Sequence, residues 1–139
     1  SVPYDYLVCA AGSKPFSPPI PGTPLHGVFA FRTLDDCRNI AEYAKGRTSA
    51  VVIGGGLLGL EAAKGLMTHD VAVTVVEVNP WLMSVQLDEA GGKVLGETIA
   101  KLGITARTGT VTKELLGHVS VTGVRFADGS EVPADMVVI

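Results

Sequence analysis

The stretch Ala50-Val51-Val52-Ile53-Gly54-Gly55-Gly56-Leu57-Leu58-Gly59-Leu60-Glu61-Ala62-Ala63 decides the fold. An apolar run of strand formers meets three glycines and passes into helix formers. Gly54, Gly56 and Gly59 give the spacing G-x-G-x-x-G. At a dinucleotide site each has its own task. Gly54 lets the chain turn tightly out of the strand. Gly56 lets a pyrophosphate approach the backbone, and Gly59 lets the new helix pack closely on the sheet. A helix opening near Leu57 aims its free N–H groups and positive dipole end at the phosphates. The backbone of Leu57 and Leu58 then joins the glycines in the cradle.

In a chain with 17 glycines the bare spacing is weak, since a ligand-free strand-to-helix turn gives the same pattern. Context strengthens it. The next strand-like run, Val71 to Glu77, ends in an acid 18 residues after Gly59. A carboxylate there can accept both adenosine ribose hydroxyls. Its charge would repel a 2′-phosphate, and Val78, Asn79, Pro80 and Trp81 offer no cation to attract one. The expected ligand is therefore NADH rather than NADPH.

At 139 residues the chain fits one domain with a real core. Charged residues make up only 18%, so some surface is expected to be covered by neighbours. A formal net charge of −3 argues against nucleic acid or an anionic membrane surface as the main partner. No apolar run is long enough to cross a bilayer, and no leader pattern is visible, so the expectation is a cytoplasmic protein. Cys9 and Cys37 form no C-x-x-C pair and read as core thiols of a reducing compartment.

Outward from the glycines, residues 4–10 read as a short buried strand. Residues 14–24 hold five of the eight prolines and read as an extended connection and domain boundary. Thr33 is a candidate helix cap, with Leu34, Cys37, Ile40, Ala41 and Ala44 at helical spacing and Gly46 as a stop. The helix after the glycines should bury Leu58, Ala62, Ala63 and Leu66. Asp88 should cap another that buries Val94, Leu95, Ile99 and Leu102. A short strand follows Gly103. Beyond it, Val119 to Phe126 alternates, Asp128-Gly129 signals a hairpin, and Glu131-Val132 and residues 136–139 read as strands. The fold class is α/β, a Rossmann-like parallel sheet with helices on both faces plus an antiparallel β-meander. The chain starts without a methionine and stops within a strand-like run, as an excised piece of a longer polypeptide would.

This layout resembles the nicotinamide-nucleotide domain of the FAD-dependent pyridine nucleotide–disulfide oxidoreductases. The family's G-x-G-x-x-G-x-E reads here as Gly54, Gly56, Gly59 and Glu61. Its strand, Ala-Thr-Gly and proline-rich crossing read as residues 4–15, with Ala11 where threonine is usual. Residues 28–36, 56–66 and 82–88 are similar to the large subunits of assimilatory NAD(P)H-dependent nitrite reductases. The resemblance implies residues 1–24 as a piece of an FAD domain, with Ala11 and Gly12 on the flavin side. It implies residues 25–139 as an NADH-binding domain, truncated before the return to the FAD domain. It places Glu61 near the nicotinamide, where dipole preference alone would read an ordinary first-turn acid. It implies NADH and FAD as cofactors, with siroheme and an iron–sulfur cluster elsewhere in a nitrite-reducing parent. The partner would be the FAD domain of the same polypeptide, and the fragment alone would be inactive. Ferredoxin or rubredoxin reductases and NADH oxidases share most of these positions, and a non-catalytic NADH-sensing module is the alternative outside enzymes.

No catalytic residue and no metal ligand set is assigned. His26, His69 and His118 lack clustered partners, and Ser49, Ser84 and Ser120 lack a nucleophile-elbow context. Trp81 either packs under an adenine or anchors its loop. Asp88 and Glu89 read as a cap and a first-turn acid rather than paired carboxylates.

Overall fold

The computed structural model describes residues 1–12, 14 and 18–139. Among them the chain runs β1 (Val28–Phe29), α1 (Leu34–Ala44), β2 (Ser49–Ile53), α2 (Leu57–Met67), β3 (Ala72–Val76), α3 (Glu89–Lys101) and β4 (Thr105–Arg107). It continues through β5 (Thr112–Gly117), β6 (Val121–Phe126), β7 (Glu131–Pro133) and β8 (Met136–Val138). One sheet is parallel, in the order β1-β8-β2-β3-β4, and the other is the antiparallel meander β5-β6-β7.

The order of the strands explains the layers. From β1 through β2 and β3 to β4, each helical crossover advances in the same direction along the sheet. Right-handed crossovers that advance together place their helices on one face. Ile40 of α1, Ala62, Ala63 and Leu66 of α2, and Ile99 of α3 accordingly share one buried cluster with Ala50, Val52, Val73, Val75, Met136 and Val138. The return from β4 to β8 runs the other way, and the meander covers the opposite face. There Val51, Val76 and Val137 pack with Leu115, Val121, Val124 and Phe126. The Rossmann-like sheet and meander agree with the sequence reading. The helices expected on both faces lie on one among the described residues, with the meander on the other.

Local chemistry sets the ends of the elements. Thr33 and Asp36 form a reciprocal capping box at α1, which holds the Asp36 carboxyl below its usual range. Asp88 Oδ1 accepts the Gly91 N–H at 2.8 Å and caps α3. Asp135, just before β8, accepts from the backbone N–H and hydroxyl groups of both Thr48 and Ser49, fastening the starts of β8 and β2 together. The hairpin signal holds as well, with Gly129 at φ +84° and its N–H donating to Phe126 O.

Several sequence expectations need correction. Residues 4–10 form no strand and are exposed, with Tyr6 at 93%. A strand needs a partner for its peptide groups, and no described strand lies alongside. The part of the proline-rich stretch at 21–24 is turned rather than extended. Thr23 N donates to Ile20 O and Leu25 N to Gly22 O, while Leu115 N donates to Pro21 O and ties the turn to β5. The expectations for Ser13, Pro15, Phe16 and Ser17 lie outside the described residues. Leu58, Val94 and Leu102 are exposed although helical spacing assigned them to the core. The buried stripe is narrower than the spacing implies, with Ala62, Ala63 and Leu66 in α2 and Gly92 and Ile99 in α3. Cys9 is exposed and Cys37 half-buried, so neither is a core thiol. The strand β5 is not anticipated by the sequence pattern.

Candidate dinucleotide site

The sheet order reverses at β2. The chain leaves β2 toward β3, while β8, on its other side, is reached only after the meander. In open α/β sheets the crevice at the carboxyl ends of strands flanking such a reversal is where ligands bind. A cavity of about 510 Å³ lies there, lined by the ends of β2 and β8, by Phe31 and Arg32 after β1, by Lys14, and by the start of α2. Gly54, Gly56, Leu57, Leu58 and Gly59 all line it, so the structure brings these five expected residues together.

The glycines differ in what a side chain would meet. Gly54 has φ +117°, a conformation that disfavours any side chain, while its N–H continues the β2–β3 ladder to Val76 O at 2.8 Å. A Cβ on Gly59 would stand 2.0 Å from Gly54 O, so this glycine permits the helix to close on the turn. A Cβ on Gly56 would meet nothing within 4 Å, although its φ of −82° suits any residue. The missing side chain at Gly56 therefore serves open space rather than packing. Gly56 is also the N-cap of α2 and offers no side-chain acceptor. Thr33 and Asp88 occupy the donors of the other two helices, but the first N–H groups of α2 have no such cap. Uncapped donors, a positive dipole end and two cationic residues at the rim fit a pyrophosphate.

Glu77 follows β3 directly and is 8% exposed. Its Oε2 accepts the Gly55 N–H at 2.6 Å, and its Oε1 accepts both the backbone N–H and the side-chain Nδ2 of Asn79 at 2.8 Å. The Glu77 backbone is clamped as well: its N–H donates to Arg107 O and its carbonyl accepts from Thr110 N. The loop beyond returns to the glycines, where Met83 N donates to Gly55 O at 2.9 Å and Leu82 is buried. A Cβ on Gly55 would strike Leu82 Cδ2 at 2.5 Å and Glu77 Cβ at 2.9 Å. Gly55 was missed because only the first, third and sixth positions of the motif carry named tasks. Lys14 and Arg32 were also missed, since isolated cations 22 and more residues from the motif give no periodic signal.

Glu61 is placed differently. It lies beyond the first turn of α2, exposed, in a groove with Phe31, Cys37, Ile40 and His69 rather than in the glycine cavity. The first-turn reading is thereby corrected. Ala11 and Gly12 are exposed. Trp81 donates Nε1–H to Leu87 O at 3.0 Å and packs against Gly92, so it anchors its loop to α3. Among the described residues no group of three or more His, Cys, Asp or Glu could hold a metal ion. None of their helices is long and apolar enough to cross a membrane.

Comparison with known proteins identifies the family. The nitrite reductase [NAD(P)H] of Bacillus subtilis (strain 168) is 44% identical over 137 residues, covering 99% of this chain and 17% of that protein. The nitrite reductase [NAD(P)H] large subunit of Klebsiella oxytoca is 47% identical over 135 residues, covering 97% and 14%. The chain thus spans under a fifth of the length of these relatives. The solved NAD-dependent persulfide reductase from A. fulgidus superposes with a TM-score of 0.90 at 34% identity, covering 97% of this chain and 25% of that one. The family model of the pyridine nucleotide-disulphide oxidoreductases matches residues 1–139. The chain belongs to the pyridine nucleotide-disulphide oxidoreductase family.

Proposed function

We propose that this chain is the NADH-binding domain of a flavin-dependent reductase that passes hydride from NADH to FAD, with nitrite as the final acceptor. The observation that carries the reading is the open space at Gly56, beside an uncapped helix start, with a carboxylate fixed to the adjoining Gly55 from the end of the neighbouring strand. When bound, NADH supplies the hydride and FAD accepts it. Gly54, Gly56 and Gly59, with the N–H groups of Leu57 and Leu58, hold the pyrophosphate. Glu77 takes the adenosine ribose and disfavours a 2′-phosphate. Glu61 lies one turn along α2, toward the nicotinamide end.

The segment before β1 belongs with the FAD domain of the parent, with Ala11 and Gly12 against the flavin. The exposed apolar side chains Tyr4, Tyr6, Leu7 and Val8 support this, since a neighbouring domain would cover them. Siroheme and an iron–sulfur cluster belong to other domains of the parent polypeptide, a proposal that rests on the two nitrite reductase relatives.

Calorimetric titration with NADH, NADPH and FAD tests the site. The expected order is NADH above NADPH, with no FAD binding. Saturable binding of FAD without NADH would reject the reading. Nitrite-dependent NADH oxidation by the full-length polypeptide tests the acceptor, and turnover with oxygen but not nitrite would reject that part alone.

A further inference from the structure

The hydrogen bonds around Glu77 limit what its carboxylate can do for a ligand. A carboxylate has about four acceptor positions, two on each oxygen. Oε1 already accepts two N–H groups, from the backbone and the side chain of Asn79. Oε2 accepts one, from Gly55. A single position remains, on Oε2. Two of the three donors are backbone groups fixed by the surrounding turns: Asn79 O accepts Gly109 N at 2.8 Å, and Gly55 O accepts Met83 N. The third, Nδ2 of Asn79, belongs to an exposed side chain. It is the one donor whose removal leaves the backbone of the site in place.

We propose that Asn79 determines how Glu77 reads the adenosine ribose: its side-chain amide saturates Oε1, so that Glu77 grips one ribose hydroxyl, through Oε2, instead of both. This rests on the assignment of NADH to the site. It departs from the two-hydroxyl grip that an acid at the end of this strand otherwise allows. Asn79 is in this sense a specificity-determining residue that acts through Glu77 and need not touch the ligand.

The test is a binding profile in the full-length, flavin-loaded polypeptide, titrated calorimetrically with NAD⁺ and with two analogues. These lack the 2′- or the 3′-hydroxyl of the adenosine ribose. NAD⁺ leaves oxidised flavin unreacted, so the readout is affinity and not turnover. In the unaltered protein one analogue should bind within about twofold of NAD⁺, and the other should bind about tenfold more weakly, the loss of one hydrogen bond to a charged group. In Asn79→Ala, Oε1 regains a free position, and both analogues should fall below NAD⁺ by about tenfold. Simple damage to the loop would weaken all three ligands together and leave their ratios unchanged. Equal losses for both analogues in the unaltered protein would overturn the proposal, as would an Asn79→Ala profile identical to it. If the unaltered protein binds none of the three, the assignment of NADH itself fails, an outcome distinct from failure of the Asn79 role.

Discussion

Oε2 of Glu77 lies 2.6 Å from the backbone nitrogen of Gly55, so the acid at the end of β3 is bound to the middle of the glycine turn. The two sequence signals of the site, glycines and acid, are thus one structural unit. The carboxylate takes up the central N–H of the turn. Replacing Glu77 by Gln puts an NH₂ end against one set of N–H donors, because an amide has only one acceptor oxygen. Removing the charge also removes the repulsion of a 2′-phosphate. Glu77→Gln should lower the ratio of NADH to NADPH affinity by about tenfold or more, corresponding to at least ~1.4 kcal/mol. Parallel calorimetric titrations with the two nucleotides check this, and an unchanged ratio would remove Glu77 from the selectivity account.

Gly56 and Gly59 should fail in different ways. A valine at Gly56 projects into open space, so thermal unfolding should shift little while NADH affinity falls at least about tenfold. An alanine at Gly59 must displace the Gly54 carbonyl, an overpacking that costs about 1–3 kcal/mol in stability. Thermal melts and titrations on the same two variants separate the effects. Destabilisation by Gly56→Val, with binding intact, would mean that the open space serves packing and not a ligand.

Asp135 offers a pH-dependent prediction. Hydrogen bonds from Thr48, then Ser49, hold its carboxyl below the usual carboxylate range in the folded chain. A depressed folded value means the stabilisation is fully present above the unfolded value of about 3.9 and is lost as pH falls through the folded one. Asp135→Ala should therefore cost about 1–3 kcal/mol at neutral pH, since donors of Thr48 and Ser49 lose a charged acceptor. The difference from the unaltered chain should shrink below about pH 4. Urea unfolding across that range measures it. A difference independent of pH would show that packing, not the ionised carboxylate, accounts for the loss.

Much of this was legible in the sequence, and the failures share a physical cause. The β2–turn–α2 unit, the acid that follows β3 and the caps Thr33 and Asp88 are local, so residue type and spacing suffice to find them. Which face each helix takes depends on the direction of its crossover, a property of strand order that no short window contains. Helical spacing counts apolar residues, so it finds Ala62, Ala63, Leu66 and Ile99, which are buried, but also Leu58 and Val94, which are exposed. The strand β5 lacks clean alternation, with register shifts at both ends of its pairing with β6. Residues 4–10 have strand composition, but a strand exists only where another chain segment answers its peptide groups.

The most direct measurement of the central claim is an amide NMR titration of the chain with NADH, with FAD as the comparison. Weak binding in the millimolar range still moves resonances, so affinity need not be high. NADH should give saturable shifts for the amides of Gly54 to Gly59, Glu77 and Asn79, and FAD none. Shifts at those amides with FAD and not with NADH, or NADH shifts confined to other parts of the chain, would contradict that claim.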